Sequence, residues 1–381
     1  MVSTRRSLLA GSTSALAALA ARGAGATTPG SVPPPPRPIP VAAPGQPGLN
    51  ARAAGKGLFF GSAVDDLQLH GDPALMARIV ADCGMVVGES SFKWEALQPQ
   101  PGHFNYARAD ALVQFAARNR MRVRGHTLVW HEANPPWLET TLTPQSGEAL
   151  LTGYIANVCG HFRGKITHWD VANEVLHPED KQPLGLRATP WLQALGPRYL
   201  DLAFHAAAEA DPAALRVLNE FGVDYALPWQ EKRRAAMLTL LETLLMRRVP
   251  VQAVGLQAHL NAAETTLDQR GLARFVADIA GMGLKVIVTE LDVRDDGLPA
   301  DIPSRDEAVA EHARAWLDAV LPHPAVLGVL TWGLSDKRSW LNSKFPRPDG
   351  LPQRPLPLDT ELKPKPLWSA IAGAFDAVQA R

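Results

Sequence analysis

From Gly57 onward the chain alternates eight times between a short run of β-branched, aromatic or aliphatic residues and a longer Ala/Leu-rich run with helical periodicity. The expected strands are 57–65, 84–90, 122–130, 166–174, 215–222, 251–260, 285–293 and 326–335. The expected helices lie near 73–83, 106–119, 146–162, 196–210, 229–248, 265–282, 305–320 and 364–379. Asp72-Pro73 supplies a start signal for the first helix, and Ser304 with Glu307 three residues later reads as a capping box for the one near 305–320. Strands that are each followed by a helix run parallel, and eight such units close into a (β/α)8 TIM barrel of the α/β class, with extended loops at the C-terminal ends of the strands. An open doubly wound sheet is the competing architecture. It calls for a Gly-rich phosphate loop after the first strand, where Gly61-Ser62-Ala63-Val64-Asp65-Asp66 stands instead.

The barrel does not use the whole chain. Residues 4–9 read Thr-Arg-Arg-Ser-Leu-Leu, an Ala-rich stretch follows, and Ala24-Gly25-Ala26 offers a small-residue cleavage site. This resembles a twin-arginine export signal spanning 1–26, which implies a periplasmic or extracellular destination and export in the folded state. Residues 27–49 contain Ser-Val-Pro-Pro-Pro-Pro-Arg-Pro-Ile-Pro, where proline removes N–H donors and fixes φ, so this segment reads as a disordered, extended spacer. The catalytic domain is expected over 50–381. No stable membrane insertion is expected once the signal is removed, and the mature chain is expected to act as a monomer.

Thirty-eight basic residues balance thirty-eight acidic ones, so no net field favours nucleic acid or an anionic membrane, and a neutral polymer is the better-matched partner. The two cysteines, Cys83 and Cys159, make no disulfide framework and no paired metal spacing, so both are expected as buried free thiols and no structural zinc is expected.

In a closed barrel, chemistry sits at the C-terminal ends of the strands. There the sequence places Glu89, with Lys93 and Trp94 beyond it, then His126 and Trp130, Asn173-Glu174, Gln257 and His259, Glu290 and Asp292, and Trp332. A single strand-end Glu is more often a solvated salt-bridge partner than a catalyst. Carboxylates, imidazoles, amides and indoles gathered on one rim from six strands reverse that judgement. Period-two alternation puts Gln257 with His259, and Glu290 with Asp292, on common faces. Asn173 and Glu174 are adjacent, so strand four must bend or bulge if both face one substrate.

Cleaving a glycosidic bond requires a proton for the leaving oxygen and stabilisation of an oxocarbenium-like carbon, and two flanking carboxyl groups meet both needs. Strands four and seven face each other across the barrel mouth, so Glu174 and Glu290 form the candidate pair. A separation of about 5–5.5 Å retains configuration through a covalent intermediate, and roughly 6.5–9.5 Å admits a water and inverts it. A His259 held between Asp292 and Glu290 would keep Glu290 ionised for attack. Glu174, with Trp130 and Asn173 as expected neighbours, would lose solvation against aromatic surface and hold its proton as a general acid. A metal-dependent barrel hydrolase is the rival prompted by eleven histidines; against it, His126 and His131 face opposite ways on a strand and no His-x-His pair ends strand one. A non-catalytic carbohydrate-binding barrel would be expected to lack one of the two carboxylates, and both are present.

Seven motifs then run in order: Glu89-Ser90-Ser91-Phe92-Lys93-Trp94, Arg124-Gly125-His126-Thr127-Leu128-Val129-Trp130-His131, Trp169-Asp170-Val171-Ala172-Asn173-Glu174, Gly255-Leu256-Gln257-Ala258-His259, Thr289-Glu290-Leu291-Asp292, Thr331-Trp332-Gly333-Leu334-Ser335-Asp336 with Trp340 beyond, and Lys363-Pro364-Lys365-Pro366. Together they resemble glycoside hydrolase family 10, the xylanase family of (β/α)8 barrels, over about Leu58 to Trp368. The resemblance implies a retaining endo-1,4-β-xylanase without a cofactor, acting on xylan or xylo-oligosaccharides, with Glu174 as acid/base and Glu290 as nucleophile. It also implies that Asn173 bonds the 2-hydroxyl of the attacked sugar. Lys93, His126, Gln257, Trp332 and Trp340 line the same glycone region, Trp130 and His259 join the substrate-binding set, and Glu89 reaches the next sugar out. The family pattern is departed from in three places: Ser90 replaces a usual Asn, Asn219-Glu220-Phe221 replaces Asn-Asp-Tyr, and Trp368 replaces a Tyr. A related barrel acting on short oligosaccharides or another β-glycan is the alternative that Ser90 keeps in view.

Overall fold

The computed structural model describes residues 47–381. The regions read as export signal and spacer therefore lie, except for residues 47–49, outside the described residues. Eight parallel strands form the barrel: β1 (Phe59–Val64), β2 (Met85–Gly88), β3 (Arg122–Gly125), β4 (His168–Asn173), β5 (Leu215–Glu220), β6 (Ala253–Leu256), β7 (Lys285–Arg294) and β8 (Val326–Thr331). Each pairs with its neighbours in chain order, and β8 returns to pair with β1 in the register Phe59↔Gly328 to Ser62↔Thr331. The sheet has no open edge, which rules out the doubly wound alternative.

Alternation along the strands sorts their side chains into two cores. Phe59, Ala63, Met85, Val87, Val217, Ala253, Ile287 and Leu330 fill the barrel interior, capped by Trp332. The opposite faces, Phe60, Val86, Val123, Val254, Val286 and Val288 among them, pack on the surrounding helices. Gly61 shows how tight that wall is: a Cβ there would lie 2.6 Å from the Met85 carbonyl oxygen of the adjacent strand.

All the strands but β7 are shorter than the runs that announce them. β2 stops at Gly88, β3 at Gly125 and β8 at Thr331. Glu89, His126 and Trp332 are thus the first residues past their strands, where backbone direction is set by the barrel but side chains are free to converge. The long helix expected from Ser304 starts instead at Ile302, because Asp301 accepts the Ser304 N–H at 3.0 Å and takes the capping position. A helix at Leu49–Ala54, unanticipated and starting one residue inside the segment read as spacer, buries Leu49 and Ala53. It is tied to the last helix, Pro366–Ala377, by the ion pair of Arg52 with Asp376 at 2.6 Å. Cys83 and Cys159 are both buried free thiols, and burial pushes both well above the ordinary thiol range.

Asp72 caps the helix Pro73–Asp82 as its sequence predicts, accepting the Leu75 N–H at 3.1 Å. It also meets Lys337 at 2.5 Å, in the long connection after β8. Asp72→Ala is expected to lower stability by about 1 kcal/mol, the usual value of an N-cap, read as a fall in Tm with unchanged activity. The same connection is pinned further along by the ion pairs of Arg354 with Asp306 at 2.7 Å and of Lys365 with Asp336 at 2.7 Å, and by a hydrogen bond that Arg347 donates to the Asp295 carbonyl. These hold the segment that carries Trp340 over the barrel mouth.

Candidate active site

β7 is long enough to deliver two carboxylates from one face, Glu290 and Asp292. β6 does not reach as far by simple alternation. It ends at Leu256, Ala258 adopts φ +58°, and a short strand His259–Asn261 then pairs with Asp292–Arg294. The expectation that Gln257 and His259 share one strand face is therefore corrected. The left-handed step at Ala258 sends Gln257 toward Glu174 and His259 toward Glu290.

His259 lies between two carboxylates, its Nδ1 2.8 Å from Asp292 Oδ1 and its Nε2 3.3 Å from Glu290 Oε2. Burial alone would drive its proton off, but the charge of Asp292, its hydrogen bond and the contact with Glu290 outweigh burial and raise the imidazole well above its ordinary range. With both ring nitrogens facing carboxylate oxygens, both donate and the ring is an imidazolium. Trp340 Nε1 donates to the second Asp292 oxygen at 2.7 Å and so braces the imidazole from behind.

Glu290 is 5% exposed. Its burial disfavours the charge, yet the hydrogen bond from His259 and the nearby His126, His259 and Arg124 outweigh that effect and hold the carboxyl down at about 2. Its Oε1 accepts Asn219 Nδ2 at 2.7 Å. Behind it, Arg124 forms a bidentate buried pair with Asp170, which also meets His126 Nδ1 at 2.8 Å.

β4 slips register against β5 between Asp170 and Ala172, and Glu174 just past it takes φ +55°. That is the bend required for Asn173 and Glu174 to reach the same space. Glu174 is half-buried; Trp130 Nε1 donates to its Oε2 at 2.9 Å, and Gln257 Nε2 to its Oε1 at 3.2 Å. The indole is the neighbour expected, but the amide is Gln257, not Asn173. Asn173 instead accepts from Asn219 at 2.8 Å and from Gln257 at 3.4 Å through its Oδ1. Its Nδ2 is buried without a hydrogen-bond partner among the described residues. Three amides thus connect the two carboxylates: Glu174, Gln257, Asn173, Asn219, Glu290.

Around this centre, Lys93 Nζ sits 4.8 Å from the Trp130 ring centroid, and Trp332 meets His126 edge-on at 5.2 Å. Glu89 is half-buried at the end of β2, its N–H bonded to the Val64 carbonyl at 3.1 Å. Sequence reasoning missed Asn219, oriented by Thr289 Oγ1 at 2.7 Å, and the Arg124–Asp170 pair. Asn219 stands at the end of β5 as Asn173 stands at the end of β4, a parallel visible in the sequence.

The family model glycosyl hydrolase family 10 matches residues 48–374. The chain belongs to glycosyl hydrolase family 10. This family 10 enzyme is 33% identical over 342 residues to endo-1,4-beta-xylanase 5 of Pyricularia oryzae, covering 88% of this chain and 80% of that one. It is also 31% identical over 336 residues to exoglucanase XynX of Acetivibrio thermocellus, covering 84% of this chain and 29% of that much longer protein. Among solved structures, xylanase 10B of Thermotoga petrophila in complex with xylobiose superposes with a TM-score of 0.79 at 27% identity, covering 88% of this chain and 99% of that one. Among the described residues of the family 10 chain, no group of His, Cys, Asp and Glu is placed to hold a metal ion, and no helix is long and apolar enough to cross a membrane. The family departure at Trp368 lies on the last helix, where its indole donates to Asp82 at the end of the helix Pro73–Asp82 at 3.1 Å.

Proposed function

We propose that the enzyme is a retaining endo-1,4-β-xylanase in which Glu290 attacks the anomeric carbon and Glu174 protonates the departing oxygen. The observation that carries this reading is the pair of carboxylates joined by three amides at the barrel mouth, one of them held ionised by His259. In the first step Glu290 forms a bond to carbon while Glu174 gives its proton to the leaving sugar. In the second, Glu174 takes a proton from water as water displaces Glu290. The unpartnered Nδ2 of Asn173 suits the 2-hydroxyl of the attacked sugar, where a hydrogen bond that strengthens at the transition state counts most. Lys93, His126, Trp130, Trp332 and Trp340 supply donors and aromatic surface for the sugars on either side, with Glu89 further out.

Incubation with xylan, cellulose and mannan is the direct test. Short xylo-oligosaccharides of β configuration at early times are expected, from xylan in preference to the others. Monosaccharide released only from chain ends, or α-configured first products, would overturn the endo and retaining assignments respectively. The likeness to an exoglucanase supports a second reading, action on β-glucan, and faster release from cellulose than from xylan would establish it.

His259→Ala is expected to move the acid limb of the kcat/KM profile toward higher pH by about one unit, because Glu290 loses the donor that depresses its proton affinity. An unmoved limb would mean that His259 does not tune the nucleophile. The Arg5-Arg6 leader supports export to the periplasm or beyond; its replacement by a Lys pair is expected to leave active enzyme in the cytoplasm, read by fractionation.

A further inference from the structure

One family departure places a third carboxylate directly behind the acid/base group. Glu220, at the end of β5 where the family usually has Asp, is fully buried. Its Oε2 accepts the Leu176 N–H at 2.9 Å, two residues beyond Glu174. Its Oε1 accepts the Phe221 N–H at 3.1 Å and faces Arg233 Nη1 at 3.5 Å. The Glu174 backbone is gripped from the other directions as well: its N–H donates to the Asn219 carbonyl at 2.9 Å, and its carbonyl accepts Arg187 Nε at 2.9 Å. Glu174 itself has a left-handed backbone, a conformation that a non-glycine residue keeps only where its surroundings impose it.

We propose that Glu220 is a positioning residue for Glu174, fixing the strained turn that aims the acid/base carboxyl. The inference rests on the assignment of Glu174 as acid/base. The extra methylene of Glu over Asp lets the carboxylate on β5 reach across to the Leu176 N–H in the segment after β4. Without that acceptor the N–H would be buried unpaired, and the turn would relax to find another partner. The charged and titratable groups around Glu220 are Arg233 from the helix Pro228–Met246, Tyr199 from the helix Arg198–Ala210, Arg187 from the loop after β4, and Glu174. Burial, opposed by Arg233 and reinforced by Glu174, raises the Glu220 carboxyl to about 7.

The test compares Glu220→Gln, Glu220→Asp and Glu174→Ala by kcat/KM, which reports only steps through glycosylation. Two substrates are used: an unactivated xylo-oligosaccharide, and a dinitrophenyl xylobioside whose leaving group needs no proton. Glu220→Gln leaves one oxygen for the Leu176 and Phe221 N–H groups, so a loss of roughly tenfold on the oligosaccharide and less than about twofold on the aryl glycoside is expected. Glu220→Asp keeps both acceptor oxygens but loses reach, so it is expected to show a smaller loss with the same substrate bias. It also serves if the Gln variant fails to fold. Equal losses on both substrates would reduce Glu220 to a structural role, and no loss would remove it from the site; either overturns the proposal. If Glu174→Ala itself loses equally on both substrates, the acid/base assignment fails instead, whatever the Glu220 variants do.

Discussion

Glu290→Ala is expected to abolish turnover of every glycoside, activated or not, with kcat falling by at least about 10⁴-fold, as removal of a covalent nucleophile does elsewhere. The fold is expected to survive, since His259 keeps Asp292 and Asn219 keeps Asn173 and Thr289 as partners. A thermal melt close to that of the parent, beside absent product, separates lost chemistry from lost structure. The decisive addition is a small nucleophile. Azide cannot restore retaining turnover here, but an α-glycosyl azide formed from a dinitrophenyl glycoside would show that the cavity left by Glu290 opens onto the anomeric carbon. Undiminished activity in this variant would remove Glu290 from the reaction.

Glu174→Ala should discriminate where Glu290→Ala does not. On xylan, where the leaving alkoxide needs a proton, a loss of about 10²–10⁴-fold is expected. On a dinitrophenyl glycoside, kcat/KM should stay near the parent value, while kcat falls because water is no longer deprotonated in the second step. Azide, which needs no general base, is expected to restore kcat and give a β-glycosyl azide. Losses of the same size on both substrates, unrelieved by azide, would refute the assigned role.

The barrel is legible because every strand is flanked by helical periodicity, and strands such as β2 and β6, buried on both faces, read as continuous apolar runs. Strand ends were less so. Apolar residues such as Leu128 and Val129 continue past β3 because the chain runs on beside β4, bonded to Asp170 and Val171 at 2.9 and 3.1 Å, without regular strand geometry. The bend at Glu174 could be demanded from the adjacency of two functional residues, a logical requirement independent of propensity. The break at Ala258 could not, because Gln257 and His259 already satisfied alternation and nothing local forces a left-handed alanine. Asn219 and Asp170 escaped notice for a related reason. Neither was needed to explain the chemistry, and their importance lies in orienting other side chains, which depends on three-dimensional proximity that sequence spacing does not encode.

The three amides between Glu174 and Glu290 also act as an insulator. A carboxamide neither gains nor loses a proton in ordinary water, so this chain of hydrogen bonds transmits position from one acid to the other while passing no charge between them. Two chemically identical groups can therefore share one scaffold and still be set to opposite states. A His or Glu substituted at Asn173, Asn219 or Gln257 would turn that spacer into a conductor and let the two settings drift together.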